Sequence, residues 1–269
     1  MQLALVDGER REAQRGLRGV CPGCGEPVMP KCGAVKVEHW AHNGNKRCDP
    51  WHEPETPWHR AWKRNFPVEH QEVIAHDDGG ERHIADVKTA HGLVLEFQHS
   101  RLDPLERAAR EAFYGNMVWV VDGTRLKRDW PRFYTARKDG YFLATGLPGV
   151  YMVTFPDSCF PYDWLSSRVP VFFDFAGVGA AGPEPEREPL WCYLPGTVDN
   201  NPVVLAVSRQ SFLDAAKSRP QIIDVMGQLT AVADELNRQL EEQRKEAAAY
   251  AKRARQYRWA QLQSKRRRR

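Results

Sequence analysis

In "ETPWHRAWKRNF", Trp58, Trp62 and Phe66 recur every four residues, which lines one face of a helix with large apolar side chains. Thr56 suits the N-cap of that helix and Pro57 its first position. The pattern then changes. "PVEHQEVIA", "HIADVKT" and "LVLEFQ" read as three strands, and the short connections "DDGGE" and "AHG" predict that they form a meander. Asp103, Pro104 and Glu106 mark a capped helix, with a capping box, running through about Tyr114. "NMVWVVDG" follows, apolar on both faces, as suits a central strand paired in parallel through the preceding helix. The order predicted is helix, three strands, helix, strand.

Either side of this block the pattern is weaker. "RLKRDWPRFYTAR" is compatible with a helix, "GVYMVTF", "VPVFFDF", "LWCYLP" and "VVLAVS" look like strands, and "GVGAAGPEPEREP" is a loop. A helical period returns from about Pro220 to Arg258, apolar at Ile222, Met226, Leu229 and Val232 before the sequence turns to "EEQRKEAAAYAKRARQYRWAQ". The first fifty residues hold many glycines and few apolar runs, so they are expected to form a small module held by a ligand. These shifts divide the chain into 1–52, 53–125, 126–219 and 220–269.

At 269 residues the chain can bury a full core. It has no run of eighteen apolar residues and no basic stretch leading an apolar one at its start, so neither a membrane span nor a signal peptide is expected, and a cytoplasmic setting is. The formal charge of +4 is uneven. Arg244 to Arg269 contain eleven Lys/Arg and one acid, a net +10, which leaves −6 for the remainder.

Four of the six cysteines lie in the first fifty residues, close to histidines, which argues for metal over disulfides. "CPGCG", then "HWAH", then Cys48, gives a Cys-x-x-Cys knuckle with a second ligand group about fifteen residues on, a zinc signature. Cys21, Cys24, His42 and Cys48 are the expected ligands, with His39 the alternative and Cys32 and His52 further candidates. Four ligands would close the shell and make the zinc structural. A dithiol redox reading of "CPGC" lacks the βαβ setting that such motifs open.

Asp86 and Glu96 interrupt two strands that otherwise look buried, and an unpaired buried charge costs several kcal/mol. Alternation places Glu96 and Gln98 on one face of their strand and Leu93, Leu95 and Phe97 on the other. If the two strands pair as a hairpin, both carboxylates project together at one end and can hold Mg²⁺ or Mn²⁺ through oxygen. The bland reading is a half-solvated sheet with surface acids.

Helix, three strands, helix, strand, with Asp on the second strand and Glu-x-polar on the third, resembles the core of the PD-(D/E)xK nuclease superfamily. More locally, "CPGCG", "HWAH", "ETPWHRAWK", "HIADV", "LEFQHS" and "REAFYGNMVWVVDG", over roughly residues 1 to 125, resemble the competence protein CoiA-like family. The resemblance implies an α/β (α+β) fold: a zinc-ribbon-like module, a restriction-endonuclease-like αβββαβ core and a less similar C-terminal region.

It makes Asp86 and Glu96 the metal-binding acids and puts Gln98 where the superfamily usually has lysine. A neutral amide can orient a water but supplies no charge, so Lys63 or Lys88 would have to provide it. Glu55 and His59 precede Lys63 at steps of four; Glu55 could complete the metal site, and His59 is either catalytic or a locally packed helix residue. Arg110-x-x-x-Tyr114 resembles an element of related exonucleases, giving Arg110 a phosphate contact or, in the bland reading, a salt bridge beside a core Tyr114.

"KRARQYRWAQLQSKRRRR" interleaves Arg253, Arg255, Arg258 and the terminal run with Tyr257 and Trp259, a composition suited to phosphate contacts and base stacking. Taken together these features predict a metal-dependent DNA nuclease acting in DNA uptake, recombination or phage defence. The helical tail is left open to a second copy or a protein partner. The rival is a DNA-binding or recombination-assembly factor that kept the fold without cleaving, and a third reading is a zinc-dependent interaction module with a helical scaffold.

Overall fold

The computed structural model describes residues 1–33, 37–43, 48–51, 53–77, 79–177 and 184–267, with side chains as far as residue 260. The N-terminal segment forms an antiparallel sheet of β1 (Leu3–Val6), β2 (Glu9–Glu12), β3 (Gly19–Val20), β4 (Pro27–Lys31) and β5 (His39–His42), in the order β2-β1-β3-β4-β5. Asp7 and Gly8, at φ +52° and +83°, make the two-residue turn between β1 and β2, the backbone twist that suits a tight hairpin. The core of this sheet is small: Met1, Ala4, Val6, Ala13, Cys21, Val28 and Trp40. So few apolar side chains need a further clamp.

The next block follows the predicted order: α1 (Pro57–Lys63), β6 (Gln71–His76), β7 (Arg82–Lys88), β8 (Val94–Gln98), α2 (Pro104–Tyr114) and β9 (Met117–Asp122). Both predicted caps are made, Thr56 accepting from the His59 N–H and Asp103 from the Leu105 N–H. Glu106 is turned along α2 to Arg110. β6, β7 and β8 pair antiparallel, and β9 lies parallel to β8.

Residues 126–219 extend the same sheet. They supply α3 (Asp129–Lys138), β10 (Phe142–Ala144), β11 (Val150–Val153), α4 (Pro156–Cys159), β12 (Val171–Asp174), β13 (Leu190–Val198), β14 (Asn201–Val207) and α5 (Arg209–Ser218). The nine strands run β10-β11-β14-β13-β12-β9-β8-β7-β6. β8, β9 and β12 are parallel neighbours at its centre, and their neighbours on both sides are antiparallel. The four strands expected here are β11 to β14, and α4, α5 and β10 are additions. The fold is mixed α/β with two sheets.

Both faces of the large sheet are covered, so its central strands are buried throughout and lose the alternation that marks a half-exposed strand. On one face Trp58, Trp62 and Phe66 join Leu95, Phe97, Val120 and Phe212 in one core, with Val232 of α6 (Val225–Arg267). On the other, Val94, Trp119, Val121, Phe133, Phe173 and Trp191 form a second core under α3 and α4.

Asp174, at the end of β12 and fully buried, fixes α1. Its Oδ2 accepts from the indoles of Trp58 at 2.9 Å and Trp62 at 3.0 Å, and its Oδ1 from the N–H groups of Ala176 and Gly177 and the guanidinium of Arg209. A buried carboxylate with this many donors is a satisfied one. Its effect is to hold the opposite side of α1, with Glu55, His59 and Lys63, over the end of β7 and β8.

Among the described side chains only the start of α6 packs on the sheet, through Leu229, Val232 and Leu236. Gln239 makes the last tie, donating to the Thr145 carbonyl at 3.0 Å, and from Glu241 to Ala260 nearly every side chain faces solvent. Among the described residues no helix is long and apolar enough to cross a membrane.

Candidate functional site

The ladder between β7 and β8 stops at the pair Val87 and Leu95. The next pair outward would be Asp86 opposite Glu96, and there side chains replace the backbone bonds. The Phe97 N–H donates to Asp86 Oδ2 at 2.9 Å, and the Asp86 N–H donates to Glu96 Oε1 at 3.2 Å. The strands therefore fork, and both carboxylates are held in the crotch by main-chain donors of the opposite strand. Of the two, Asp86 opens to solvent, with a quarter of its side chain exposed, while Glu96 is buried.

Lys63 comes in from α1. Its Nζ is 2.9 Å from Glu55 Oε2, 3.2 Å from Glu72 Oε1 and 3.9 Å from Asp86 Oδ1, and it is wholly buried. Burial by itself would lower the Lys63 ammonium, but Glu72, Glu55 and Asp86 outweigh it and hold the group above its ordinary value. Burial likewise opposes ionisation of Glu72, yet Lys63, the N-terminal amine and two backbone N–H groups bring it down to about 2. Lys63 is thus the lysine that reaches the fork. Lys88 lies in the paired part of the ladder, opposite Val94.

Glu72 has no sequence signal. It sits at φ +47°, an uncommon conformation for a residue with a side chain, at a gap in the β6–β7 register between Gln71 and Val73. That twist turns its carboxylate inward to Lys63.

Burial and the nearby Asp86 push the Glu96 carboxyl up to about 8, although Arg110 opposes them. Arg110 has the inward partners of the bland reading. It is buried, with its guanidinium 3.3 Å from Glu96 Oε2, donating also to Glu106 and to the Trp51 carbonyl, and lying over the Trp51 ring. Of the two readings open for Arg110, the ion pair is the one this structure forms, to Glu96 and Glu106. Tyr114 packs edge-on against Phe113 and Trp51, and its phenol is pushed up by burial and by Glu96. The Gln98 amide donates to the carbonyl and hydroxyl of Ser100, at 3.2 and 3.3 Å, and not to the two acids.

Beside the fork are two histidine–carboxylate pairs, with ring centres 6.2 Å apart. His59 shares its Nδ1 with the Thr56 hydroxyl at 2.7 Å and places Nε2 3.4 Å from Glu53 Oε2. Burial would lower His59, but Glu53 and Asp86 prevail and raise it. His99 bonds through Nδ1 to Asp122 Oδ2 at 2.8 Å. Of these four only His59 was among the expected residues. Glu53 and His99 were legible only as polar residues flanking a helix and a strand, and Asp122 looked like the end of a strand.

The N-terminal module brings Cys21, Cys24, His42 and Cys48 together, with one ligand atom from each within 4.8 Å of all the others. Cys21 and Cys48 sulfurs are 3.7 Å apart, and Cys24 Sγ lies 3.2 Å from His42 Nε2. Burial, then Cys21 and Cys24, push the Cys48 thiol up to about 12, as happens when thiols crowd without a cation. The donor set therefore fits a tetrahedral Zn²⁺. His39 lies three residues from His42 on β5, so alternation sends it to the other face, where its Nδ1 meets the Val37 carbonyl. Cys32 lies outside the cluster, and His52 lies outside the described residues.

Side-chain hydrogen bonds bolt the module to the large sheet. Asp49 accepts from His83 Nδ1 at 2.9 Å and the Ile84 N–H at 2.7 Å, and Arg10 donates to the carbonyls of Val68, Gln71 and Glu72. At the far end of the chain, Arg253, Arg255 and Arg258 are exposed on the projecting part of α6, with Tyr257 and Trp259. They are remote in sequence and packing from the fork. Arg268 and Arg269 lie outside the described residues.

Residues 8–50 match the family model "Competence protein CoiA, N-terminal domain". Over 144 residues the chain is 26% identical to competence protein CoiA of Bacillus subtilis (strain 168), a match spanning 48% of this chain and 38% of that protein. The resemblance to the CoiA-like family read from the sequence is borne out by both. No solved structure matches.

Proposed function

We propose that this CoiA-like chain is a metal-dependent deoxyribonuclease of the PD-(D/E)xK type, hydrolysing phosphodiester bonds in competence-related DNA uptake and recombination, or in phage defence. The observation that carries the reading is the fork: one open and one buried carboxylate at the end of a broken strand ladder, with a buried lysine behind them.

The residues at the fork fit a divalent cation. Burial and the neighbouring Asp86 push Glu96 up despite Arg110, and Glu55 Oε1 is buried with no hydrogen-bond partner. Oxygen ligands of this kind suit Mg²⁺ or Mn²⁺. When bound, such an ion polarises a phosphodiester and acidifies a water. The chain's own residues do the rest: Asp86 and Glu96, with Glu55, hold the ion, and Lys63 keeps Glu72 ionised behind them. His59, whose charged form Glu53 and Asp86 favour, is the proton carrier of the site. Zn²⁺ at Cys21, Cys24, His42 and Cys48 is structural, since four ligands fill its shell. Arg253, Arg255 and Arg258 on the projecting helix supply phosphate contacts.

The test is digestion of circular and linear, single- and double-stranded DNA with Mg²⁺, Mn²⁺ or EDTA. Asp86→Ala and Glu96→Ala are each expected to abolish cleavage while leaving the fold intact. Wild-type protein that cuts no form of DNA with either ion would refute the reading.

A second reading rests on Gln98. Its amide is committed to Ser100, so no group on β8 offers the charge that usually activates the water. This favours a DNA-binding assembly factor that does not cleave, which the same assay separates by binding without digestion.

A further inference from the structure

The N–H groups of β8 alternate in direction. Val94 donates to the Asn116 carbonyl, on the β9 side, so Leu95, Phe97 and His99 point toward β7. Because β7 has splayed away, the latter two lose a strand partner. The Phe97 N–H is taken by Asp86, and the His99 N–H by Glu53 Oε2 at 3.3 Å. The adjacent Ser100 N–H donates to the other oxygen of Glu53.

Glu53 reaches this place from the connection between the metal module and α1. His59 aims at it too. That imidazole is buried, and its Nε2 lies 3.4 Å from Glu53 Oε2 with no hydrogen-bond partner of its own. Two consecutive main-chain N–H groups and a buried histidine nitrogen converging on one anion make a nest-like anion site, here filled by a side chain of the protein.

We infer that the His99 and Ser100 N–H groups with His59 Nε2 form a binding site for a backbone phosphate of the nucleic-acid substrate, and that Glu53 occupies it until that phosphate displaces it. The N–H groups of Phe97 and His99 are two residues apart on an extended strand, roughly 6.7 Å. That spacing suits neighbouring phosphates of one strand, one brought to Asp86 and Glu96 through their cation and the next at His99 and Ser100. The inference deepens the nuclease reading, and its test is run without Mg²⁺ or Mn²⁺, so a failure of cleavage leaves it standing or falling by itself.

The probe is thymidine 3′,5′-bisphosphate, titrated by calorimetry into zinc-loaded full-length protein, with thymidine and inorganic phosphate as comparisons. Glu53→Gln removes the competing charge and is expected to bind the bisphosphate about tenfold more tightly than wild type. Adding His59→Ala should cancel that gain. Thymidine should not bind, and inorganic phosphate should follow the same order of variants more weakly. In wild type, the bisphosphate should speed hydrogen exchange around Glu53, a readout that needs no variant to fold. A Glu53→Gln protein that binds no more tightly, a gain that survives His59→Ala, or slower exchange around Glu53 would overturn the site. With Ca²⁺ added to seat the second phosphate at Asp86 and Glu96, inorganic phosphate binding as tightly as the bisphosphate would overturn its assignment to nucleic acid.

Discussion

Replacing Glu96 by glutamine is expected to stabilise the protein, by an amount that grows with pH. The Glu96 carboxyl stands at about 8 in the fold against 4.5 as the ordinary value, because burial and then Asp86 disfavour its ionised form more than Arg110 favours it. The sign follows from proton linkage. Between 4.5 and 8 the folded protein keeps a proton that the unfolded chain has released, so stability falls as pH rises through that window and levels off above it.

Each pH unit inside the window costs about 1.4 kcal/mol. A glutamine carries no such proton, so the variant's advantage should widen by about 2–3 kcal/mol from pH 6 to pH 8 and then stop widening. Urea unfolding followed by tryptophan fluorescence measures it, with zinc present and Mg²⁺ and Mn²⁺ absent. Adding Mg²⁺ at pH 8 should then stabilise wild type more than the variant, since only wild type gains a ligand for the ion. A difference that stays flat from pH 6 to pH 8 would show that Glu96 is already ionised across the range, and the electrostatic account of the fork would be wrong.

Lys63→Met leaves Glu55, Glu72 and Asp86 without their shared cation and should cost about 3–5 kcal/mol at pH 7. In wild type, Glu72, held down to about 2, contributes stability that is present above 4.5 and lost as pH falls toward 2; in the variant Glu72 holds its proton to higher pH, so the deficit should be smaller at pH 5 than at pH 8, and an equal deficit at the two would refute it. Cys24→Ser should lower zinc from about one per chain and reduce stability with it, because structural zinc adds folding free energy directly; metal analysis and thermal unfolding check both. Deleting residues from Arg253 onward should weaken DNA binding without changing sequence preference, flattening the salt dependence by about 0.7 per lost contact for single strands or 0.9 for duplex, while cleavage at saturating protein survives.

The parts of the fold that could be read from the sequence are those whose cause is local. The Trp58, Trp62, Phe66 stripe, the caps at Thr56 and Asp103 and the two carboxylates inside apolar strands all declare themselves within a few residues. The N-terminal strands did not, because they are two to five residues long and share a core of seven buried side chains. Asp174 acts on Trp58 from 116 residues away, and Glu53 meets the His99 N–H across 46. Such contacts exist only once the sheet has formed. Arg110 illustrates the same limit from the other side: its spacing to Tyr114 left a phosphate contact and a salt bridge both open, and only the packed structure puts its guanidinium 3.3 Å from Glu96.

Glu72 shows why the metal module and the fork behave as one structure. Its carboxylate accepts from the N–H groups of Gln2 at 2.7 Å and Leu3 at 2.8 Å while its Oε1 faces Lys63, and its carbonyl receives Arg10 from β2. The first residues of β1 therefore help keep ionised a carboxylate that in turn holds Lys63 in front of Asp86. Their position depends on a small sheet in which β5, carrying His42, lies at one edge and the Met1 carbonyl receives the Trp40 N–H. Zinc held by Cys21, Cys24, His42 and Cys48 would fix that sheet, and the sheet supplies two of the donors that make burying Glu72 tolerable. Without them a wholly buried carboxylate would hold its proton more tightly, and Lys63 would lose part of the charge that anchors it beside the fork.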